Sequence, residues 1–290
     1  MRFSGSYVAL VTPFHADGSV NFEKLRELVE WHVQQGTDGI VALGTTGESS
    51  TMSHEEDDAV ARAVIETVNG RIPVICGAGS NSTQTQLEKS RRYHDMGADG
   101  LLLITPYYNK ANDEGMYRHF AAVADTVDTP IILYNVPGRT GCSISPACCA
   151  RLAAHPNIAG IKEASGNIGY TARIAKLVGD DFCLFSGNDD MIVPIMSLGG
   201  CGVISVWANI CPKEVHALTS AFASGEIAKA REIQLKYLEL IDALFCEVNP
   251  IPVKEAMNQM GMEVGGYRLP LCEISPAGRE RVRRALEVLR

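Results

Sequence analysis

Along most of the chain the hydrophobic and polar positions repeat one unit, a short apolar, often β-branched run followed by a longer stretch with apolar residues at helical spacing. The apolar runs predict strands over Tyr7–Thr12, Gly39–Gly44, Pro73–Ala78, Gly100–Pro106, Pro130–Pro137, Ile158–Ser165, Cys183–Asn188 and Gly202–Asn209. Between them, helices are predicted over Phe22–Gln35 behind an Asn21 cap and from Ser53, where SHEE spells a capping box. Further helices are predicted from Ser82, Glu114 and Ser145, over Tyr170–Val178 and Met191–Leu198, and from Pro212. Alternating βα units imply a parallel sheet with right-handed crossovers, and eight of them in 290 residues predict a closed (β/α)8 TIM barrel over residues 1–225. An open doubly wound sheet is the alternative, but no GxGxxG follows the first strand. After Gly225 the strands stop. Glu226–Glu247, Val253–Gly261 and Pro276–Leu289 predict helices, so residues 226–290 read as a C-terminal helical extension of the barrel.

Composition narrows the function. A hydrophobic fraction of 46% and a charged fraction of 21% describe an ordinary globular chain with a full core. The net charge of -8 leaves no basic stripe for nucleic acid or an anionic membrane. The densest basic run, RERVRRALEVLR at Arg279–Arg290, is interleaved with Glu280 and Glu287 and reads as the solvated face of a terminal helix. The start, MRFSGSYVALVTPF, has no long apolar core behind a basic segment, and no membrane-spanning apolar run follows, so a cytoplasmic protein is expected. Nine cysteines without CxxC pairs fit neither a zinc site nor a disulfide framework, and they read as reduced, mostly buried small hydrophobes.

Barrel chemistry sits at the C-terminal ends of the strands, and here those ends are polar. The sixth apolar run, IAGIKEAS, carries Lys162 beside the small residues Gly160 and Ala164. A desolvated amine is a nucleophile able to form a Schiff base with a carbonyl compound. An ammonium that snorkels to water or pairs with Glu163 fits the same stretch. GTTGES at Gly44–Ser49 offers a backbone nest for a carboxylate, or a plain βα turn. Tyr134 ends the fifth strand as a proton-transfer phenol or a satisfied core tyrosine. Arg139, in a loop, is a fork for a second carboxylate or a surface arginine. Tyr107 and Tyr108 mark a subunit contact or pack beneath their own loop. LGGCGVIS at Leu198–Ser205 has the glycines of a phosphate grip but no basic residue beside it.

Through GTTGE at Gly44–Glu48, TPYYN at Thr105–Asn109, YNVPGRTG at Tyr134–Gly141, GIKEASGN at Gly160–Asn167 and NPIPVK at Asn249–Lys254, essentially the whole chain resembles one family. It is the pyruvate-dependent, class I aldolase-type family of dihydrodipicolinate synthase and N-acetylneuraminate lyase. The doubled threonine and the arginine of VPGRTG resemble its synthase branch. Lyases acting on sugar acids usually carry serine at Thr45 and lack Arg139.

The resemblance implies a Schiff-base lyase that condenses pyruvate with L-aspartate 4-semialdehyde, in the diaminopimelate route to lysine, with no cofactor and no metal. Lys162 forms the imine, and Thr46 with the amides of Thr45 and Thr46 holds the pyruvate carboxylate. Tyr134 moves protons, linked through Thr45 to Tyr108 of a neighbouring subunit. Arg139 anchors the second carboxylate, the Ile204 region orients the pyruvate methyl, and Gly187 lines the acceptor side. Asn188, where many relatives carry aspartate, departs from the pattern there. The family implies a homotetramer built as a dimer of tight dimers. It also implies a lysine feedback pocket at Ser49, Ser50, His54, Asn81 and Tyr107. Two positions of that pocket differ: Asp57 stands where lysine-sensitive relatives have histidine, and Thr85 where they have glutamate. Weak or no inhibition by lysine is the expectation. Two other functions fit part of the pattern: a lyase for N-acetylneuraminate or a 2-keto-3-deoxy sugar acid, and a non-catalytic barrel that senses small carboxylates.

Overall fold

The structure, a computed structural model, describes residues 3–289. Met1, Arg2 and Arg290, which the sequence assigns to the leading stretch and the terminal basic run, lie outside the described residues. Eight strands follow one another in chain order around a closed barrel. They are β1 (Gly5–Ala9), β2 (Gly39–Ala42), β3 (Val74–Gly77), β4 (Gly100–Ile104), β5 (Ile131–Asn135), β6 (Ile158–Glu163), β7 (Cys183–Ser186) and β8 (Gly202–Ser205). Each lies within its predicted run or overlaps it, and all eight stop short of the predicted end. The residues past each end leave the ladder and form the loops that carry the polar motifs.

The chain divides into two compact units, one holding residues 73–204 and the start of β1, the other residues 6–72 and 205 onward. In the first unit β4 (GLLLI) and β5 (IILYN) are buried almost throughout, as expected of parallel strands covered on both faces. Their registers align the reactive ends: Ile104 pairs with Tyr134, Tyr134 with Lys162, and Lys162 with Phe185. Gly160 permits the close approach of β6 to β7, since a Cβ there would sit 2.2 Å from the Cys183 carbonyl oxygen.

In the second unit β1 pairs with β2 in the register Tyr7 to Gly39. The end of β1 is held by one side chain: Asn209 donates to the Ala9 carbonyl (2.8 Å) and accepts from the Val11 N–H (3.1 Å).

Helix starts follow local chemistry. Ser53 and Glu56 form the predicted capping box, and Asn21, Ser82 and Ser145 accept from backbone N–H groups of their helices. The helix placed from Glu114 begins at Asp113, because Asn112 supplies the cap. Three expectations change. The loop containing Arg139 is a short helix, Pro137–Thr140, with proline in its first turn and Gly141 closing it at φ 68°. The single periodic run Glu226–Glu247 is two helices, Ile227–Lys236 and Leu238–Ala243, because Tyr237 leaves helical geometry with its ring 5.1 Å from the Trp207 indole. The last helix stops at Ala285 and ends in a 3-10 turn, Leu286–Leu289. On that helix Arg283 and Arg284 pair with Glu280 in exposed ion pairs, the solvated face the sequence predicts.

Among the described residues no helix is long and apolar enough to cross a membrane. Cys76, Cys149 and Cys211 are buried, and burial pushes each thiol up to about 12.

Candidate active site

In the first unit, β6 delivers Lys162 at its C-terminal end, 6% exposed. Its Nζ lies 4.6 Å from the centroid of the Tyr134 ring, the register partner on β5. Among the described residues this amine has no ion pair and no hydrogen bond. It therefore neither snorkels nor pairs with Glu163. A buried amine left with an aromatic face and no counter-charge suits attack on a carbonyl carbon.

Glu163 serves the opposite face of the same strand. Its carboxylate accepts from Asn135 Nδ2 at 2.7 Å and from the Ser165 N–H at 2.6 Å. Asn135 Oδ1 in turn accepts from the Ile144 N–H at 3.1 Å, and the Tyr170 hydroxyl donates to the Ile144 carbonyl at 2.5 Å. Burial pushes the Glu163 carboxyl upward, while the hydrogen bonds from Ser165 and Asn135 oppose it. Asn135 and Glu163 are register partners one step beyond Tyr134 and Lys162, so this buried clamp pins the pairing that brings the amine to the phenol. Asn135 carries no role in the sequence reading, and Glu163 only that of a pair for Lys162, because alternation hides what an outward-facing polar pair contacts.

The other candidates of this unit are spread over loops, helices and β8. The Gly187 N–H donates to the Glu163 carbonyl at 2.7 Å, and a Cβ there would stand 2.6 Å from that of Ala164. Asn188 is tied to Ser186, whose hydroxyl donates to its carbonyl at 2.7 Å. Ile204 is fully buried in β8, and Arg139 is exposed on its short helix. Tyr108 is 91% exposed with a left-handed backbone, φ 69°, a conformation that favours glycine. Tyr107 beside it is 40% exposed, and its carbonyl accepts from Asn81 Nδ2 at 3.3 Å, so Asn81 and Tyr107 are brought together. Thr85 sits in the helix Thr83–Asp95.

In the second unit GTTGE is a closed turn. The Gly47 N–H donates to the Gly44 carbonyl and the Glu48 N–H to the Thr45 carbonyl, each at 3.1 Å. Among the described residues the N–H groups of Thr45 and Thr46 have no backbone acceptor, which leaves a pair of donors of the kind that binds anions. Thr12 Oγ1 donates to the Gly47 carbonyl at 2.6 Å. The turn is also held from far along the chain. Asn249 Nδ2 donates to Thr46 Oγ1 at 2.9 Å. Glu48, with φ 54° and buried, pairs with Lys254 at 2.9 Å, side chains 1% and 0% exposed. Lys254 Nζ also donates to the Thr12 carbonyl at 3.1 Å and lies 4.4 Å from the Phe14 ring centroid. Burial lowers the Lys254 pKa, and Glu48 opposes that shift.

Ser49 opens the 3-10 turn Ser49–Thr51 that follows, with Ser50 exposed inside it. His54 begins the next helix, exposed, and Asp57 is buried in it. Glu56 on this helix is gripped by both terminal nitrogens of Arg268, at 2.6 and 2.8 Å, which hold its carboxyl down at about 2. Asn249 and Lys254 carried no assigned role in the sequence. The available signal was a lysine inside the apolar run of NPIPVK.

Comparison with known proteins agrees with this geometry. A family model, the dihydrodipicolinate synthetase family, matches residues 2–289. A relative from Thermoanaerobacter sp. (strain X514), named 4-hydroxy-tetrahydrodipicolinate synthase, is 53% identical over 285 residues, covering 98% of this chain and 96% of its own. The solved dihydrodipicolinate synthase of Acinetobacter baumannii, described as chloride-inhibited and complexed with pyruvate, is 45% identical with a TM-score of 0.96, covering 98% of each chain. A further structure, described as a monomeric dihydrodipicolinate synthase variant, is 40% identical with a TM-score of 0.97, covering 99% of this chain and 97% of its own. With a closed barrel, a buried lysine over a tyrosine and a match spanning nearly every residue, the chain belongs to the dihydrodipicolinate synthetase family.

Proposed function

We propose that this chain condenses pyruvate with L-aspartate 4-semialdehyde through a Schiff base on Lys162, the 4-hydroxy-tetrahydrodipicolinate synthase reaction. The observation that carries the reading is the buried Lys162 amine, without an ion pair and 4.6 Å from the Tyr134 ring, in a member of this family. Lys162 Nζ attacks the ketone carbon of pyruvate, and loss of water gives an imine whose protonated form draws electrons from the methyl carbon. Loss of a methyl proton gives the enamine, which adds to the aldehyde carbon of the second substrate. The amine of that substrate then attacks the imine carbon, closing the ring and releasing Lys162.

Tyr134 delivers and collects the protons, linked through Thr45 of the same chain to Tyr108 of the partner subunit. The exposure and backbone of Tyr108 suit a residue offered to a second copy. Thr46 and the N–H groups of Thr45 and Thr46 hold the pyruvate carboxylate. Arg139 takes the carboxylate of the semialdehyde, Ile204 orients the pyruvate methyl and Gly187 borders the acceptor. No cofactor enters, because the imine is the electron sink. A cytoplasmic homotetramer, each subunit a barrel over 1–225 with a helical extension over 226–290, completes the reading. Ser49, Ser50, His54, Asn81 and Tyr107 form a lysine pocket weakened by Asp57 and Thr85.

The test follows pyruvate consumption with L-aspartate 4-semialdehyde and, in parallel, with N-acetylmannosamine. Consumption only with the semialdehyde, lost in Lys162→Ala together with borohydride trapping of pyruvate on the protein, is the expected result. Consumption only with the amino sugar overturns the acceptor assignment. An Arg139→Ala variant is expected to raise KM for the semialdehyde and leave KM for pyruvate unchanged.

A further inference from the structure

Thr46 is 3% exposed, and its hydroxyl oxygen accepts the Asn249 amide N–H at 2.9 Å from 203 residues away in sequence. A hydroxyl has one proton to donate. With an N–H held on its oxygen, that proton turns away from Asn249, and among the described residues it meets no protein acceptor. We propose that Asn249 is a positioning residue for pyruvate, its amide fixing the Thr46 hydroxyl as a donor aimed at the substrate carboxylate. This rests on the reading of Thr46 as a holder of that carboxylate.

The surroundings keep the amide and the hydroxyl in place. Asn249 is 7% exposed, and five residues on Lys254 is locked to Glu48 at 2.9 Å and to the Thr12 carbonyl at 3.1 Å. The turn carrying Thr46 and the segment carrying Asn249 are thus joined at two points, Thr46 to Asn249 and Glu48 to Lys254. The amide is also neutral. A carboxylate in its place takes the Thr46 proton for itself and sets a negative charge beside the anion site.

The experiment compares Asn249→Asp, Asn249→Ala and Thr46→Val in steady-state kinetics with both substrates varied. Asn249→Asp, close to isosteric, is expected to raise KM for pyruvate by about 10-fold or more, with kcat within about threefold and KM for the semialdehyde unchanged. Asn249→Ala raises it less, and has no further effect once Thr46→Val is present. If Thr46→Val raises KM for pyruvate but Asn249→Asp does not, this inference is overturned and the carboxylate reading survives. If Thr46→Val leaves KM for pyruvate unchanged, the carboxylate reading itself fails. Should Asn249→Asp not fold, Asn249→Ala with and without Thr46→Val decides: equal fold-changes in the two backgrounds overturn the inference, and loss of the effect supports it.

Discussion

Replacing Lys254 by methionine removes a cation from one of the most enclosed places in the chain. The Lys254 and Glu48 side chains are 0% and 1% exposed, and their charged atoms are 2.9 Å apart. Without the amine, the only partner left to the Glu48 carboxylate among the described residues is the Arg268 N–H, at 3.3 Å from its other oxygen. Stranding one partner of a buried pair costs about 3–5 kcal/mol, because the remaining charge has lost both water and counter-charge. For a chain of this size that corresponds to a fall in melting temperature of roughly 6–20 °C. Exchanging both partners for methionine removes the stranded charge, and such replacements are neutral or stabilising by up to about 4 kcal/mol. The expected order is therefore parent and double variant together, Lys254→Met well below. Urea unfolding at fixed protein concentration and neutral pH reads the difference. The double variant is also expected to bind pyruvate less well than the parent, since the turn carrying Thr46 has lost the tether that shapes it. A Lys254→Met protein within 1 kcal/mol of the parent refutes the reasoning.

His32 is fully buried beside Thr37, and burial pushes its imidazole down to about 3 from 6.5. A pKa depressed by folding gives stability that is complete above the unfolded value and lost as pH falls toward the folded one. Between pH 6 and 4 the parent should therefore lose about 1.4 kcal/mol per pH unit more than His32→Gln, and parallel urea midpoints speak against it. Glu163→Gln turns an NH2 group toward either Asn135 Nδ2 or the Ser165 N–H, both donors. A loss of about 1.5–3 kcal/mol and slower borohydride trapping on Lys162 are expected, and unchanged values of both count against the clamp. Sub-millimolar lysine should leave the rate untouched, because Thr85 offers no charge to the ligand's ammonium groups, a difference of about 2–5 kcal/mol. A lowered half-inhibiting concentration in Thr85→Glu checks this, and strong inhibition of the parent rules it out.

The barrel was legible because each βα unit announces itself locally. Asn21 and Ser53 cap the helices they are expected to cap, Ser82 and Ser145 stand at the predicted starts of theirs, and β4 to β7 lie within their apolar runs. Lys162 and Tyr134 were legible as polar ends of apolar strands. That one amine lies against the other's ring depends on register, which alternation within one strand does not carry. The break at Tyr237 escaped for a related reason: the periodicity runs through it, and contact with Trp207 stops the helix there. Asn249 and Lys254 escaped because their partners lie 203 and 206 residues away, and no local pattern encodes a pairing over that span.

The hold of Asn209 on Ala9 and Val11 also has a consequence in time. The two ends of that contact are 200 and 198 positions apart, and a ribosome adding roughly 5–20 residues per second takes about 10–40 s to cover that gap. Through that interval the nascent chain carries the end of its first strand with the Ala9 carbonyl and Val11 N–H still lacking Asn209. A chain that stops before residue 209 never supplies it. The first strand made is among the last to be finished.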